Sequence, residues 1–481
     1  MQLAVGRGAG GHVGVLLVLD TGPGFDVAVA ERALRERACA VPRLRQRLYQ
    51  APPGCGRPYW ADDPEFDVRA HVRRVCCPPP GDERTLLDVA AAELVRPLPR
   101  SRPLWSAAFV SGLADGGTGL VIVVNHVLAD GIAGLAVLAA LLDPGSVAAT
   151  TPAITAAATR TITAAATPTI TAAATPTIAA TDNSKMRAFP AGAPSVRTLA
   201  ADAWARRARR LAPPPGGLRR LRQGIAELGG ARLHRLPSSS LNRPTGARRQ
   251  LHVVTADLAA VRRLAHAHGG TVNDVALAVV TSALADLLAT RGEQLHEVAV
   301  SVPVSARRET GTVELGNQIG VMPVIVPADG DLGGRVRRIA AITRERKSLV
   351  RGASAALFVP GFLLLARTGL LGWFDNHQRF VHTFVTNLRG PSEPPTLAGV
   401  PVRAVIAIPA STGNVTVTFG VLSCAGTLRI TVLYDPDLVP DALVLADALR
   451  RALDAAGLAR EGTLVRPAGT GSAVPPRGNP G

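Results

Sequence analysis

The tract from Thr151 to Thr181, "TPAITAAATRTITAAATPTITAAATPTIAAT", constrains this chain more than any other feature. It repeats an eight-residue unit that keeps Ile154, Ile162, Ile170 and Ile178 in register. That period is too short for a solenoid unit and too long for a coiled-coil heptad. With one isoleucine per unit and almost no charge, the tract cannot bury enough surface to offset the entropy of ordering it. Alanine runs favour transient helix, but the threonines and prolines oppose it. A chain of 481 residues also exceeds one simple core. The expectation is an N-terminal half over 1–143, a disordered linker over 144–195, a basic helical connector over 196–240, a C-terminal half over 241–460 and a loose tail over 461–481.

Both halves read as α/β. In the first, "HVGVLLVLD" and "GLVIVVNHV" are apolar runs of strand length, the second rich in β-branched residues, as in a strand buried on both faces. "DGIAGLAVLAALLD" follows, with Ile132, Leu135, Leu138 and Leu142 at helical spacing. In the second half, "RRQLHVVTADLAAVRRLAHAHG" reads as strand then helix and "TVNDVALAVVTSALADLLATRG" as a long apolar helix. Strands are expected at "EVAVSVPVSA", "NQIGVMPVIVP" and "FVTNLRG", and a hairpin turning at "CAG" within "VTVTFGVLSCAGTLRITVLY". A final helix, "DALVLADALRRALDAAG", ends the fold.

The net charge of +17 favours anionic partners, lipid surfaces or phosphorylated ligands among them. No zinc-finger spacing, basic zipper or RNA-binding aromatic signature accompanies it, so nucleic acid is not the expected partner. Five cysteines without regular spacing do not form a disulfide framework, and a reducing cytoplasm is expected. The first residues read as a strand rather than a signal peptide. The most membrane-like stretch, residues 355–374, carries Pro360, Gly361 and Arg367, so it suits an interfacial hairpin or buried helix pair better than a span. The scattered histidines lack metal-ligand spacing.

The chemistry concentrates in "VVNHVLADG", Val123 to Gly131, at a strand end entering a helix. A neutral imidazole there can accept a proton from a hydroxyl. Asp130 can brace the turn, and Gly131 permits close backbone packing. On residues alone, His126 is either a catalytic base or a hydrogen-bonded histidine ending a strand.

A series of segments in order extends the motif: "DPEFDVRAHVRRV", "RPLPRSRPLWSAAFVSGL", "NHVLADGIAG", "LNRPTGARRQ", "GGTVNDVALAVV", "VPVSARR", "LGNQIGVMPVIVP", "TNLRGPSEP" and "GVLSCAGTLRITVLYDPDLVPD". Through them the chain resembles the bacterial wax ester synthase/diacylglycerol acyltransferase family, within the chloramphenicol-acetyltransferase-like superfamily. The resemblance implies an α/β (α+β) fold of two similar subdomains with mixed sheets and a tunnel between them. It makes His126 the catalytic histidine, Asp130 the structural aspartate and Gly131 the glycine after it. Arg307 is nominated as the partner of Asp130, with Arg308 in reserve. Pro103, Leu104 and Trp105 match a packing motif. Asn273 and Asp274 match a segment that orients substrate or caps its helix, Asn387 one that lines the tunnel, and Gly316 and Asn317 a strand-entry motif.

One position departs. The family carries two histidines in a row, and here the first is Asn125. Adjacent strand residues face opposite ways, so a hydrogen-bonding structural role is expected for it. The resemblance implies transfer of a fatty acyl group from acyl-CoA, as cosubstrate, to diacylglycerol or a long-chain alcohol. His126 acts as general base, with no bound cofactor, metal or covalent intermediate. Peripheral attachment to an anionic membrane's inner face or to lipid bodies is expected. The same fold could instead acylate a natural-product hydroxyl or amine, or serve as a basic lipid-binding scaffold.

Overall fold

The computed structural model describes residues 11–22, 25–56, 58–128, 131–146, 194–211, 236–237, 239–305, 319–349, 364–365, 368–460 and 462–466. The octad tract and much of the connector lie outside them, as do Asp130, Arg307, Arg308, Gly316, Asn317 and most of 355–374.

The N-terminal half contributes β1 (His12–Leu19), α1 (Val27–Ala40), α2 (Pro42–Arg45), β2 (Gln46–Tyr49), β3 (Tyr59–Asp62), β4 (Val72–Cys76), α3 (Glu83–Val95), β5 (Trp105–Ser111), β6 (Thr118–Asn125) and α4 (Gly131–Leu141). The helix starts follow from local chemistry. Asp26 caps α1 by accepting from the Ala28 N–H, and Asp82 caps α3 by accepting from the Thr85 N–H. All of β6 is buried. Its Leu120, Ile122 and Val124 join a cluster with α1, α2 and α4, while Val121 and Val123 pack with α3 on the other face. Each such side chain stabilises the fold by about 1.5–3 kcal/mol, which explains the unbroken apolar run.

The C-terminal half supplies β7 (Gln250–Asp257), β8 (Glu297–Ser305), β9 (Ile319–Pro327), β10 (Thr383–Arg389), β11 (Thr396–Leu397), β12 (Val400–Ile408), β13 (Val417–Cys424) and β14 (Thr427–Tyr434). Two mixed six-stranded sheets result, ordered β11-β12-β1-β6-β5-β4 and β7-β14-β13-β10-β8-β9. β4 runs parallel to β5, and β10 parallel to both β8 and β13; the other pairings are antiparallel. Ala425 and Gly426 join β13 to β14 with φ of 48° and 73°, the double positive φ of a two-residue hairpin turn. Helices Leu258–Ala267, Val272–Thr290, Leu332–Leu349 and Ala442–Ala455 build the core of this half. Val272–Thr290 is long and apolar enough to cross a membrane, yet most of it is buried in that core.

β11 and β12 follow β10 in the chain but belong to the N-terminal sheet. β12 pairs antiparallel with β1, placing Val15 opposite Ala407. Asp143, at the end of the N-terminal half, secures the crossing. Its carboxylate accepts from the Thr396 hydroxyl (2.6 Å), the Ala398 N–H (2.9 Å), the Gly399 N–H (2.8 Å) and the Arg37 guanidinium. Burial disfavours the charged form, but these bonds outweigh it and hold the Asp143 carboxyl down at about 2.

The chain from 461 onward was expected to be loose. Its first part is instead packed: Leu464 and Val465 are 2% and 5% exposed among Leu16, Val18 and Val121 of the N-terminal sheet. The Leu464 N–H donates to Glu83 (2.9 Å), and the Arg466 N–H to Asp115 (2.9 Å). Two apolar residues on a chain leaving the final helix suffice to draw it back across the first half, despite the Gly/Pro-rich composition beyond. In the connector, Val196–Leu211 is helical, with Trp204 69% exposed.

Candidate active site

His126 is the first residue past β6. Its N–H donates to the Gly11 carbonyl (2.7 Å), and the residue is half-buried. Gly11 has φ of 97°, a conformation glycine adopts without strain, and so turns the chain into β1 beside it. The alternation of β6 puts even-numbered residues on the face covered by α4. Continued to the last strand residue, that phase gives Asn125 the α3 face.

Asn125 closes the turn. Its N–H donates to the Leu104 carbonyl (2.9 Å), its Oδ1 accepts from the Val127 N–H (3.0 Å), and its carbonyl accepts from the Leu128 N–H (2.8 Å). The side chain mimics a backbone turn, a role asparagine fills well. His12 lies opposite Asn125 in the β1–β6 register, with its Nδ1 at 2.8 Å from the Leu94 carbonyl. Burial holds His12 below its ordinary pKa against the pull of that bond, so a neutral imidazole stands there.

Leu104 and Trp105 are 3% and 1% exposed. The Pro103 carbonyl accepts from the Trp105 N–H (2.9 Å), and Trp105 Nε1 donates to the Leu44 carbonyl (2.7 Å). The Trp105 indole stacks on His71 with centroids 4.7 Å apart. Since Leu104 also receives the Asn125 N–H, this segment props the strand end that presents His126.

From the other half, Asn273 opens the Val272–Thr290 helix, and the Asn387 amide on β10 donates to its Oδ1 (3.2 Å). α4 lies against β10, so the element entered from His126 meets the strand that carries Asn387. Asp274 is 1% exposed. One carboxylate oxygen accepts from the Thr271 N–H and hydroxyl, both at 2.8 Å, and the other from the Thr343 hydroxyl (2.8 Å). Capping and bracing the helix thus engage both Asp274 oxygens. Gly131 begins α4. The suggested Asp130–Arg307 pair lies outside the described residues.

A cavity of about 480 Å³ lies elsewhere, lined by Glu83, Arg84, His252, Arg450, Thr463 and Arg466 among others. It contains none of the motif residues, and the seam between α3, β7 and the packed tail forms it. His252 there is pushed down to about 4 by burial and by Arg84 and Arg450. No cluster of metal-ligating side chains occurs among the described residues.

Nothing in the sequence singled out two further buried groups. His382, at the entry to β10, is 1% exposed; its Nδ1 accepts from the Ala299 N–H (3.1 Å), its Nε2 has no hydrogen-bond partner, and burial pushes it down to about 4. Arg43 on α2 is 8% exposed, without a carboxylate partner among the described residues. In the sequence, Arg43 stands in "RLRQR", where nothing local distinguishes it from Arg45 and Arg47.

Comparison with known proteins places this geometry. Residues 8–276 match the wax ester synthase/diacylglycerol acyltransferase catalytic domain, and residues 315–456 match the C-terminal domain of the same family. A Mycobacterium tuberculosis protein described as "Probable diacyglycerol O-acyltransferase tgs1" is 28% identical over 450 residues, covering 92% of this chain and 90% of its own. Among solved structures, the wax ester synthase/diacylglycerol acyltransferase of Marinobacter aquaeolei VT8 aligns with a TM-score of 0.60 at 20% identity, over 93% of this chain and 96% of its own. The first condensation domain of the calcium-dependent antibiotic synthetase aligns with a TM-score of 0.57 at 20% identity, over 94% and 92%. The mixed sheets and their neighbours are those of the chloramphenicol-acetyltransferase-like fold. With both of its domain models matched in order, the chain belongs to the wax ester synthase/diacylglycerol acyltransferase family and is an acyltransferase.

Proposed function

We propose that the enzyme moves a fatty acyl group from acyl-CoA to the hydroxyl of diacylglycerol or a long-chain alcohol, with His126 as general base. The observation that carries this reading is the placement of His126. It directly follows a fully buried strand, and α4, which begins five residues on at Gly131, lies against β10, the strand of Asn387. A neutral ring nitrogen of His126 takes the acceptor's hydroxyl proton as the oxygen attacks the thioester carbonyl. The tetrahedral intermediate then expels the thiolate of CoA, which takes that proton back from the imidazolium. The new C–O bond replaces the C–S bond, and no acyl-enzyme is needed. The Asn387–Asn273 amide pair is suited to orienting the acceptor from the second half. Diacylglycerol is the favoured acceptor, since the mycobacterial relative matched over nearly its whole length carries that activity in its description.

His126→Ala should abolish free-thiol release from palmitoyl-CoA with diolein or hexadecanol, with an unchanged circular dichroism melt. Retained turnover sinks the general-base role. An amine acceptor that outperforms both alcohols shifts the reading to natural-product acylation. Acyl transfer by none of these acceptors leaves a lipid-binding scaffold.

The same reading places the enzyme on the cytoplasmic face of an anionic membrane or a lipid body. Leu364, Leu370 and Trp373 are 63%, 51% and 61% exposed, and the net charge is +17. Exposed apolar side chains on a basic protein suit an anionic lipid surface. Liposomes rich in phosphatidylglycerol should retain the protein at low salt and release most of it at high salt. Equal partitioning at both would remove the electrostatic component.

A further inference from the structure

The first residues of β1 are held by a strand on one side only. The β1–β12 register begins at Gly14, so His12 and Val13 pair with β6 alone. Ahead of them Gly11 offers nothing to pack, and a Cβ added there would meet nothing within 4 Å. Yet the Gly11 carbonyl is the group to which the His126 N–H donates (2.7 Å). What fixes that carbonyl must come through the next residue, His12. It is 5% exposed, on the face of β1 that carries Leu16 and Val18 against α3. The Leu94 carbonyl, 2.8 Å from its Nδ1, lies in the last turn of α3, where a helix leaves its carbonyls without intrahelical donors. A carbonyl only accepts, so Nδ1 carries the proton and the neutral ring donates. Leucine or valine would fill this space without stripping an imidazole of its water, as Leu16 and Val18 do further along the strand. The histidine supplies instead one directional bond.

We propose that His12 is a positioning residue for His126: by tying the start of β1 to the last turn of α3, it fixes the Gly11 carbonyl and, through it, the backbone of His126. This rests on His126 being the general base. Two hydrogen bonds in series make the link, His12 to the Leu94 carbonyl and His126 to the Gly11 carbonyl, with one peptide between them. The strand end is thereby gripped from both sides, since the Asn125 N–H donates to Leu104 across the sheet from Gly11. His126 lies past the end of β6, and a base displaced by about an ångström loses much of its rate. His71 makes a similar bond to the Trp105 carbonyl (2.9 Å), but its own carbonyl accepts from Ala107, deeper in the sheet. His12 itself takes no part in proton transfer.

The test compares wild type with three variants. His12→Leu fills the space without the donor, and His12→Asn restores an N–H near the Nδ1 position. Thr416→Val removes a buried side-chain bond to the Leu241 carbonyl (2.9 Å) in the C-terminal half, as a control for lost stability alone. The first readout is amide hydrogen exchange resolved to single residues. His12→Leu should speed exchange of the His126 amide by about tenfold and leave the Asn125 amide, held by Leu104, as in wild type. The second is single-turnover transfer from palmitoyl-CoA to diolein with enzyme in excess. That rate should fall by about tenfold or more in His12→Leu, with an unchanged steady-state KM for palmitoyl-CoA. His12→Asn should recover most of both losses, and Thr416→Val should show neither. A His126 amide or a transfer rate that stays at the wild-type value, equal acceleration at Asn125, a fall shared by Thr416→Val, or a His12→Asn as slow as His12→Leu would each overturn the proposal. Should His12→Leu not fold, Gly11→Ala strains the same carbonyl at its φ of 97° while its Cβ touches nothing; an unmoved His126 amide and transfer rate there would overturn it equally. If His126→Ala retains turnover, or wild type acylates no acceptor, the general-base reading fails by itself, and exchange of the His126 amide still decides whether His12 holds that residue.

Discussion

The two sheets are alike in strand number but differ in how they are completed. The C-terminal sheet draws all six strands from its own half. The N-terminal sheet takes β11 and β12 from the other half, so without them β1 becomes an open edge of apolar residues. An edge of that kind is an aggregation site rather than a stable terminus. The cluster over α3 likewise joins Leu16 and Val121 of the first half to Leu251, Leu433 and Leu464 of the second. The halves resemble each other in architecture, yet only the second is self-sufficient in strands, and His126 sits on the dependent one.

The most severe way to break this comparison is to separate the halves. Residues 241–481 expressed alone should give a cooperative thermal transition, whereas residues 1–240 should aggregate or melt without cooperativity. A folded 1–240 fragment would show that the borrowed strands are dispensable. Leu464→Ala tests the packed tail inside the intact chain. Removing a fully buried leucine side chain should cost about 2–5 kcal/mol in urea unfolding. A loss below about 0.5 kcal/mol, the range of surface substitutions, would mean that the tail lies on the surface without supporting it.

Asp143→Ala addresses the crossing. It leaves the Ala398 and Gly399 N–H groups and the Arg37 guanidinium without their acceptor, at about 1–3 kcal/mol. The sign of the pH dependence follows from the depressed pKa. The contribution of Asp143 is present above the unfolded value of about 4 and is lost as pH falls through the folded value of about 2. The gap between wild type and Asp143→Ala, measured by urea titration, should therefore be constant from pH 7 to pH 5 and shrink toward pH 2. A gap that widens on acidification would assign the effect to another group.

The elements themselves were legible because their signals are local. A continuous β-branched run marked β6, a long apolar run marked the Val272–Thr290 helix, and two alternating runs around Ala425–Gly426 marked the last hairpin. The crossing was not legible. "VPVRAVIAI" has strand character, but nothing local states that it pairs with β1 hundreds of residues earlier rather than with its neighbour β13. The site divided in the same way. His126 and its motif stand in one stretch of chain, whereas the meeting of Asn387 with Asn273 depends on what folding brings near.

Asn125 sharpens the comparison at its smallest scale, since it bears on how the dependent half holds its histidine. Its Oδ1 accepts one hydrogen bond, from the Val127 N–H, and the alternation of β6 puts its side chain on the α3 face, away from α4. Asn125→Ala should cost about 1 kcal/mol and lower kcat modestly by loosening the turn. Asn125→Asp keeps the acceptor oxygen but buries a charge, so it should be the less stable of the two at neutral pH and recover on acidification, when its carboxyl protonates. Asn125→His restores the residue the family usually carries. If the position only braces the turn, that variant should keep the acceptor preference of wild type, whatever it does to stability. A switch between diolein and hexadecanol in Asn125→His would instead make this position a determinant of the substrate, acting through the strand end that leads to His126.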